Sequence, residues 1–192
     1  PTIAGKLDFP DDHPMLSHFK YLASVAEVQP KISIPGPSCC HFRTAAADIL
    51  PAEYSDPEVL FADITSTYAK AVKAFYAAGC RYLQMDDIFF AYLCDPKHRA
   101  EKAEAGLDPD WLIDRYAWMM REAIKNRPDD MMIGMHMCRG NFRSTHAAEG
   151  RPESGGSTSH GRGHDRSVGF GSQSEGKEAG TGSTRAAGAG TA

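Results

Sequence analysis

The segment 131–141 (MMIGMHMCRGN) places a histidine and a cysteine two residues apart at the end of an apolar run. If the run forms a strand, His136 and Cys138 point to the same side, because side chains on a strand alternate with a period of two. They would then lie roughly 7 Å apart, which is two strand rises of about 3.3 Å each. Imidazole nitrogen and thiolate sulfur are ligands that zinc accepts together. The pair therefore predicts half of a tetrahedral zinc site.

His136 and Cys138 also have an interpretation without a metal. On many strands a histidine is a hydrogen-bonded polar residue, and a cysteine is a small core residue. Here a Gly-Asn turn at 140–141 follows at once, so the pair is expected at the carboxyl end of its strand. The α/β folds keep their chemistry at that end, which favours the metal interpretation.

The acidic pair Asp86 and Asp87 ends a second strand pattern, CRYLQMDD at 80–87. Leu83 and Met85 point one way along this strand, and Asp86 points the other way. Asp86 is therefore a candidate substrate contact if that side faces a cavity. The alternative is a carboxylate that faces a helix or is solvated in a loop.

A third group of candidates follows the strand pattern KISIP at 31–35 and the turn residues Gly-Pro-Ser. His41 and Arg43 lie in the predicted loop that follows the turn ending at Ser38. They are either solvated loop residues or contacts to an anionic cosubstrate. We assign Ser38 to substrate binding.

Hydrophobic periodicity predicts the elements that position these residues. Strands are expected at 2–9, 31–35, 80–87 and 131–141, and helices at 11–27, 55–79 and 108–127. The helix that starts at Ser55 has the capping-box pattern S-D-P-E, and Gly79 is a natural residue to end it. The charged segment 95–106 has no apolar stripe and is expected to be an exposed excursion.

Alternation of strands and helices predicts a parallel sheet with right-handed crossovers. One side of the strands is aliphatic. The polar residues on the other side are Ser33, Gln84, Asp86, His136 and Cys138. This arrangement predicts an α/β fold of the (β/α)8 barrel type, in which inward residues act at the carboxyl-terminal mouth. A complete barrel needs eight strands and about 250 residues, so the chain is expected to form about the first half.

The composition divides the chain of 192 residues near residue 150. Beyond it, Val168 and Phe170 are the only large apolar side chains, and Gly, Ser, Thr, Ala, Arg and Glu predominate. We expect a folded domain at 1–149 and a disordered, low-complexity tail at 150–192, because such a tail cannot offset its ordering entropy. The start at Pro1 suggests a fragment.

Charge and cysteine usage limit the classes of partner and compartment. The net charge of −4 gives no electrostatic argument for binding to nucleic acid or to an anionic membrane. No apolar run approaches the roughly 20 residues of a membrane span, and no signal-peptide pattern is present. Five cysteines without regular spacing do not indicate a secreted disulfide framework. We therefore expect a cytoplasmic protein.

Four segments carry a resemblance to a known family: GKLDFPDDHPML, KISIPGPS followed by HFR, GCRYLQMDD, and HMCRGNFRS. They resemble the carboxy-terminal catalytic barrel of cobalamin-independent methionine synthase, and more closely the short single-domain bacterial proteins of that family. The resemblance extends over residues 1–148. HMC after a Met/Ile strand is its most specific part.

The resemblance implies an activity and residue roles. That family takes its first two zinc ligands from such a His-x-Cys, which implies that His136 and Cys138 bind zinc. LQMDD looks like the family's acidic pair, whose first member holds the amino group of homocysteine, which implies this role for Asp86. Asp87 stands where the family usually has Glu, so no role is carried over to it. The implied reaction transfers a methyl group from a methylated tetrahydrofolate to the homocysteine thiol, which zinc can hold as a thiolate near neutral pH.

The sequence departs from the family after Glu149. The family's remaining zinc ligands, a Glu and a second Cys, come from later strands, and no cysteine follows Cys138 here. We interpret the tail as the result of a truncation or a frame shift. His160 and His164 could contact a metal ion, but we expect them to be solvated residues of the tail. Zinc affinity should then be weak, and catalysis by this chain alone should be impaired.

Two other interpretations remain open. The first is another zinc-thiolate alkyltransferase on the same barrel, with a donor other than folate. The second is a non-catalytic half-barrel that is stabilised by a partner or by self-association, because an open parallel sheet leaves an unpaired edge.

Overall fold

The computed structural model describes residues 2–43, 51–142 and 145–148. The tail at 150–192, for which disorder is predicted, lies outside the described residues, and so do His160 and His164. The domain boundary near residue 149 therefore stays a prediction.

A parallel sheet of three strands organises the described residues. β1 (Ile32–Pro35), β2 (Tyr82–Asp86) and β3 (Met132–His136) lie side by side in the order β1-β2-β3. The partners on the polar side are Ser33 with Gln84, Pro35 with Asp86, Gln84 with Gly134, and Asp86 with His136. Three of the four predicted strands are therefore confirmed, and so is the parallel arrangement. The closed-barrel assignment needs further strands and stays a prediction.

In the part of the chain that the structure describes, six helices surround or connect these strands. They are α1 (Pro14–Val25), α2 (Ser38–Phe42), α3 (Pro57–Ala77), α4 (Phe89–Tyr92), α5 (Pro96–Glu104) and α6 (Pro109–Ile124), with a 3-10 turn at Ala52–Tyr54. The long helices α1, α3 and α6 lie where periodicity predicts them. The N-cap of α3 is Asp56 rather than Ser55: its side chain accepts a hydrogen bond from the Glu58 N–H. Gly79 ends α3 with a φ of 98°.

The strand predicted at 2–9 is wrong: the described residues of this segment are irregular. The Leu7 N–H donates to the Tyr54 hydroxyl at 2.7 Å, so a side chain rather than a neighbouring strand satisfies it. Ile3 and Phe9 are buried individually. The alternation of apolar residues in this segment therefore comes from side chains that are buried one by one, not from strand pairing.

The segment 131–141 also differs from its prediction, because β3 ends at His136. Its last bond to β2 runs from the Asp87 N–H to the His136 carbonyl at 2.9 Å. The chain then turns at Gly140, whose φ is 69°, into a short antiparallel hairpin, β4 (Asn141–Phe142) and β5 (Thr145–His146). Cys138 consequently lies in the irregular segment between β3 and β4 and not on the strand.

The aliphatic side of the sheet forms the main core. The buried residues of this side are Ile34, Leu83, Met85 and Ile133, and they pack with Phe19, Ala71, Val72, Phe75, Met120, Ala123 and Ile124 from the helices. Fully burying each large apolar side chain contributes roughly 1.5–3 kcal/mol. A second buried cluster includes residues of α3, α4 and α6. These contacts confirm which side of the strands faces the helices.

α5 confirms the expectation of an exposed, charged excursion, because none of its residues is buried. In the described part of the chain, no helix combines the length and the hydropathy that crossing a membrane would require.

Candidate functional site

Asp86 and His136 are direct partners in the register of β2 and β3. Parallel neighbours lie about 4.8 Å apart, and partner residues present their side chains on the same side of the sheet. This side is opposite to the main core. Asp86 is half-buried and His136 is exposed. The structure therefore brings a carboxylate and an imidazole together at the carboxyl ends of two strands, as the parity of the sequence predicts.

The carboxylate of Asp86 is oriented by residues on its own side of the sheet. Gln84 Nε2 donates to Asp86 Oδ1 at 2.6 Å. Lys31 Nζ in turn donates to Gln84 Oε1 at 3.0 Å, which assigns the orientation of the amide. One carboxylate oxygen is thus directed along the strand by a short chain of polar contacts.

Cys138 lies two residues beyond the end of β3 and is half-buried. Its Sγ accepts a hydrogen bond from the Gly140 N–H at 3.4 Å. His136 and Cys138 therefore follow each other closely along the chain, but strand pairing positions only the histidine. Within residues 2–43, 51–142 and 145–148, no group of three or more His, Cys, Asp or Glu side chains is arranged to bind a metal ion.

Asp87, to which the sequence assigns no role, is fully buried together with Ser38. The Ser38 hydroxyl donates to Asp87 Oδ1, and the Ser38 N–H donates to Oδ2 at 3.4 Å. Burial raises the pKa of Asp87, while its hydrogen bonds with Ser38 act in the opposite direction. The structure thus places Ser38, our predicted substrate contact, against Asp87 and away from solvent.

His41 is not a solvated loop residue: α2 replaces the predicted loop, and His41 is buried in it. A helical turn forms because Pro37 has a φ of −61°, which suits the start of a helix. His41 Nδ1 lies 2.8 Å from the Tyr116 hydroxyl. Burial, together with the charge of Lys102, lowers the pKa of His41 to about 4. A neutral, buried imidazole is unsuited to contact an anionic cosubstrate.

Arg43 is exposed, in keeping with the prediction, and its guanidinium carbon lies 5.4 Å from the centre of the Phe89 ring. It is thus in reach of solvent at the end of α2, while its neighbour His41 is not.

Cys39 lies close to the candidate site without resembling a metal ligand. Its Sγ donates to the Asp86 carbonyl at 3.6 Å. Burial, reinforced by the Asp87 carboxylate, raises the pKa of Cys39 to about 11. Because a metal binds the thiolate, this environment disfavours Cys39 as a ligand. Nothing in the Cys39-Cys40 dipeptide of the sequence indicates that Cys39 lies near Asp86.

A cavity of about 810 Å³ lies elsewhere, at the amino end of β3. Its lining includes Tyr82, Arg127, Asp129 and Met132, and does not include Asp86, His136 or Cys138. The carboxyl ends of parallel strands are where α/β proteins bind their ligands. We therefore place the candidate site at Asp86 and His136 rather than at this cavity.

Comparisons with known proteins find similar proteins in bacteria. No family model matches it. It is 43% identical over 149 residues to the uncharacterized protein YxjH of Bacillus subtilis, and 41% identical over 150 residues to YxjG of the same organism. In both comparisons the match covers 77% of this chain. The chain spans 38% and 39% of the lengths of these two relatives, which is about two fifths.

A crystal structure from Listeria monocytogenes is also similar. Its protein is provisionally assigned as a vitamin-B12-independent methionine synthase. The TM-score is 0.61 and the sequence identity is 38%, over 73% of this chain and 41% of that chain. The fold similarity is therefore accompanied by substantial sequence identity. It agrees with the family resemblance of the sequence motifs.

Proposed function

We propose that this chain carries the first part of a methyltransferase site that makes methionine from homocysteine and a methylated tetrahydrofolate. The pairing of Asp86 with His136 at the ends of β2 and β3 is the observation that carries the proposal. The similarity to the Listeria monocytogenes protein supports the class of reaction. The chain would contribute about the first half of a (β/α)8 barrel, with these residues at its mouth.

Zinc is the cofactor in this proposal, and His136 and Cys138 would hold it. The two donors fit zinc in type, because they offer an imidazole nitrogen and a thiolate sulfur. The exposed position of His136 leaves it accessible to a metal ion. When bound, zinc would act as a Lewis acid and lower the pKa of a thiol. With only two ligands, this chain alone would bind zinc weakly. The remaining ligands would come from polypeptide other than this chain.

Asp86 would bind the substrate amino group in this arrangement. A carboxylate is acceptor-only when ionised and forms charge-assisted hydrogen bonds with an ammonium group. Gln84 restricts the orientation of this carboxylate before the substrate arrives. Asp87 and Ser38 are buried behind it, and we assign them to the support of the turn between β1 and α2.

Zinc binding and methyl transfer test the proposal separately. Equilibrium dialysis of the full chain should show zinc binding that His136→Ala and Cys138→Ser each abolish, whereas His18→Ala and Cys94→Ser do not change it. Methyl transfer is best measured in Bacillus subtilis YxjH, with labelled methyltetrahydrofolate and homocysteine. Zinc binding that survives in the double variant of His136 and Cys138 would exclude these ligands. Failure of YxjH to label homocysteine would exclude the reaction.

Another zinc-thiolate alkyltransferase is the alternative on the same site. The two reactions differ in the alkyl donor, and none of the described contacts indicates which donor binds. If YxjH alkylates a thiol from a donor other than methyltetrahydrofolate, this alternative replaces the methionine synthase proposal.

A non-catalytic half-barrel that self-associates is a second candidate. Met132 on β3 is 60% exposed, and β3 is an edge strand of the sheet formed by the described residues. Exposed edge strands readily pair with a second copy. Analytical ultracentrifugation tests this proposal: a monomer at all concentrations rejects it, and a dimer that Met132→Lys dissociates supports it.

A further inference from the structure

Tyr92 and His98 form an aromatic pair next to the segment that follows Cys138. Tyr92 is the last residue of α4, and His98 lies in the first turn of α5. Their ring centres are 4.6 Å apart, with 35° between the ring planes. The Asp95 side chain caps α5 by accepting hydrogen bonds from Lys97 and His98 N–H groups, which holds His98 close to Tyr92.

This pair contacts the turn that follows Cys138. His98 Nε2 lies 3.0 Å from the Ala147 carbonyl oxygen. A carbonyl only accepts, so Nε2 carries the proton and donates it. A Cβ atom on Gly140 would lie 3.0 Å from the Tyr92 hydroxyl and 2.9 Å from Ala147 Cβ. The backbone of Gly140 is thus packed between Tyr92 and the returning chain.

The turn is closed by its own backbone hydrogen bonds. The N–H groups of Ala147 and Ala148 both donate to the Arg139 carbonyl at 3.0 Å. Ala148 is fully buried. Inside this closed turn, Gly140 donates its N–H to Cys138 Sγ. A continuous set of contacts therefore runs from His98 through the turn to the sulfur.

We propose that Tyr92 and His98 are positioning residues that set the orientation of Cys138. Cys138 requires such positioning because β3 makes its last hydrogen bond to β2 at His136. The sheet therefore does not fix Cys138. The consequence for metal binding rests on the proposed function, in which Cys138 is a zinc ligand. Groups that orient a ligand in this way typically change metal affinity 10- to 100-fold when they are removed.

The test compares His98→Ala with His98→Gln in the full chain. The Gln amide can replace the donor at Nε2, whereas Ala cannot. His18→Ala is the matched control, because His18 is an exposed histidine on α1. Two quantities are measured: zinc affinity by calorimetric titration, and hydrogen exchange of the Gly140, Ala147 and Ala148 amides by NMR.

We expect His98→Ala to weaken zinc binding roughly tenfold and to accelerate exchange at all three amides. His98→Gln should restore both quantities, and His18→Ala should change neither. Rescue by Gln separates the loss of the hydrogen bond to Ala147 from the loss of the other His98 contacts, which are those with Glu101 and with the Tyr92 ring.

Three outcomes would overturn the inference. In the first, exchange does not change in His98→Ala. In the second, Ala147 and Ala148 exchange faster while Gly140 stays protected, so the contacts do not reach Cys138. In the third, exchange accelerates but zinc affinity is unchanged. If the unmodified chain binds no zinc, the proposed function fails, and the Gly140 amide alone then decides whether His98 positions Cys138.

Discussion

Gly36 and Asp87 are in direct contact where β1 and β2 end. A Cβ atom on Gly36 would lie against Asp87 Oδ2 and only 2.5 Å from Asp87 Cβ, which is closer than atoms can approach. The Gly36 N–H also donates to the Asp86 carbonyl at 2.7 Å. The turn after β1 can thus approach the acidic pair only because residue 36 has no side chain. The buried Asp87 therefore lies against the turn that follows β1.

The first prediction is that Gly36→Ala destabilises the protein. The new methyl group would force Asp87 or the turn to move, and overpacking of this kind costs about 1–3 kcal/mol. Urea unfolding should show a lower midpoint with an unchanged slope. Gly5→Ala is the control, because no atom lies within 4 Å of a Cβ at Gly5. Equal stability of Gly36→Ala and the unmodified protein would mean that the contact with Asp87 is absent.

The second prediction concerns the pH dependence that Asp87 confers. Burial raises its pKa above the ordinary value of 3.8, so the folded state binds this proton more tightly than the unfolded state. The stabilisation from the protonated form is complete below the unfolded pKa and is lost as pH rises through the folded pKa. Asp87→Asn imitates the protonated carboxyl group. As pH rises, the unmodified protein should therefore lose unfolding free energy relative to the Asp87→Asn variant.

Asp130 gives a control of opposite sign for Asp87→Asn. A hydrogen bond from Tyr76 and the charge of Arg81 lower the pKa of Asp130. Its stabilisation is present above the unfolded pKa and is lost as pH falls, so Asp130→Asn should change the pH profile in the reverse direction. Urea unfolding at a series of pH values measures both variants. Parallel profiles for Asp87→Asn and the unmodified protein would contradict a raised pKa.

Much of the fold follows from sequence periodicity, and the exceptions have physical causes. α3 and α6 have apolar stripes that the structure buries, so their positions are predictable from spacing alone. The segment 2–9 alternates in the same way as a strand, but its apolar residues serve as isolated anchors. Pattern alone does not distinguish these cases, because it does not show whether a neighbouring strand is available for pairing.

The candidate site was predictable in part for a similar reason. The strand parity of Asp86 and His136 follows from a period of two, and their pairing agrees with it. The buried contact of Ser38 with Asp87 joins residues that are 49 positions apart. It depends on how the turn after β1 packs against β2, which local sequence does not encode. The prediction placed Cys138 on the strand, whereas Cys138 lies two residues beyond its end. The end of β3 is set by its last hydrogen bond to β2.

The third prediction is that His41 makes the protein less stable in mild acid. Burial lowers its pKa from 6.5 to about 4, so the folded state resists protonation that the unfolded state accepts. The stabilisation is present above pH 6.5 and is lost as pH falls towards 4. His41→Asn keeps a polar atom near Tyr116 but does not titrate. Its unfolding free energy should change less between pH 7 and pH 5 than that of the unmodified protein.

An exposed histidine provides the comparison for His41. His18→Asn on α1 is the matched control, because it replaces a histidine that is exposed. If His41→Asn keeps the pH dependence of the unmodified protein, His41 is accessible to protons in the folded state, and the buried contact with Tyr116 is not maintained in solution.

The fourth prediction distinguishes the two cysteines near the candidate site. Alkylation requires the thiolate, and burial raises the pKa of Cys39 to about 11, so iodoacetamide at neutral pH should leave Cys39 unmodified in the folded protein. Cys138 follows the end of β3 in an irregular segment and is expected to react. Zinc should slow the reaction of Cys138 if His136 and Cys138 bind the ion, and His136→Ala should remove this protection. Mass spectrometry of the digested protein measures each site separately. Zinc protection of Cys39 in place of Cys138 would contradict the assignment, because it would identify Cys39 as the thiol that binds the ion.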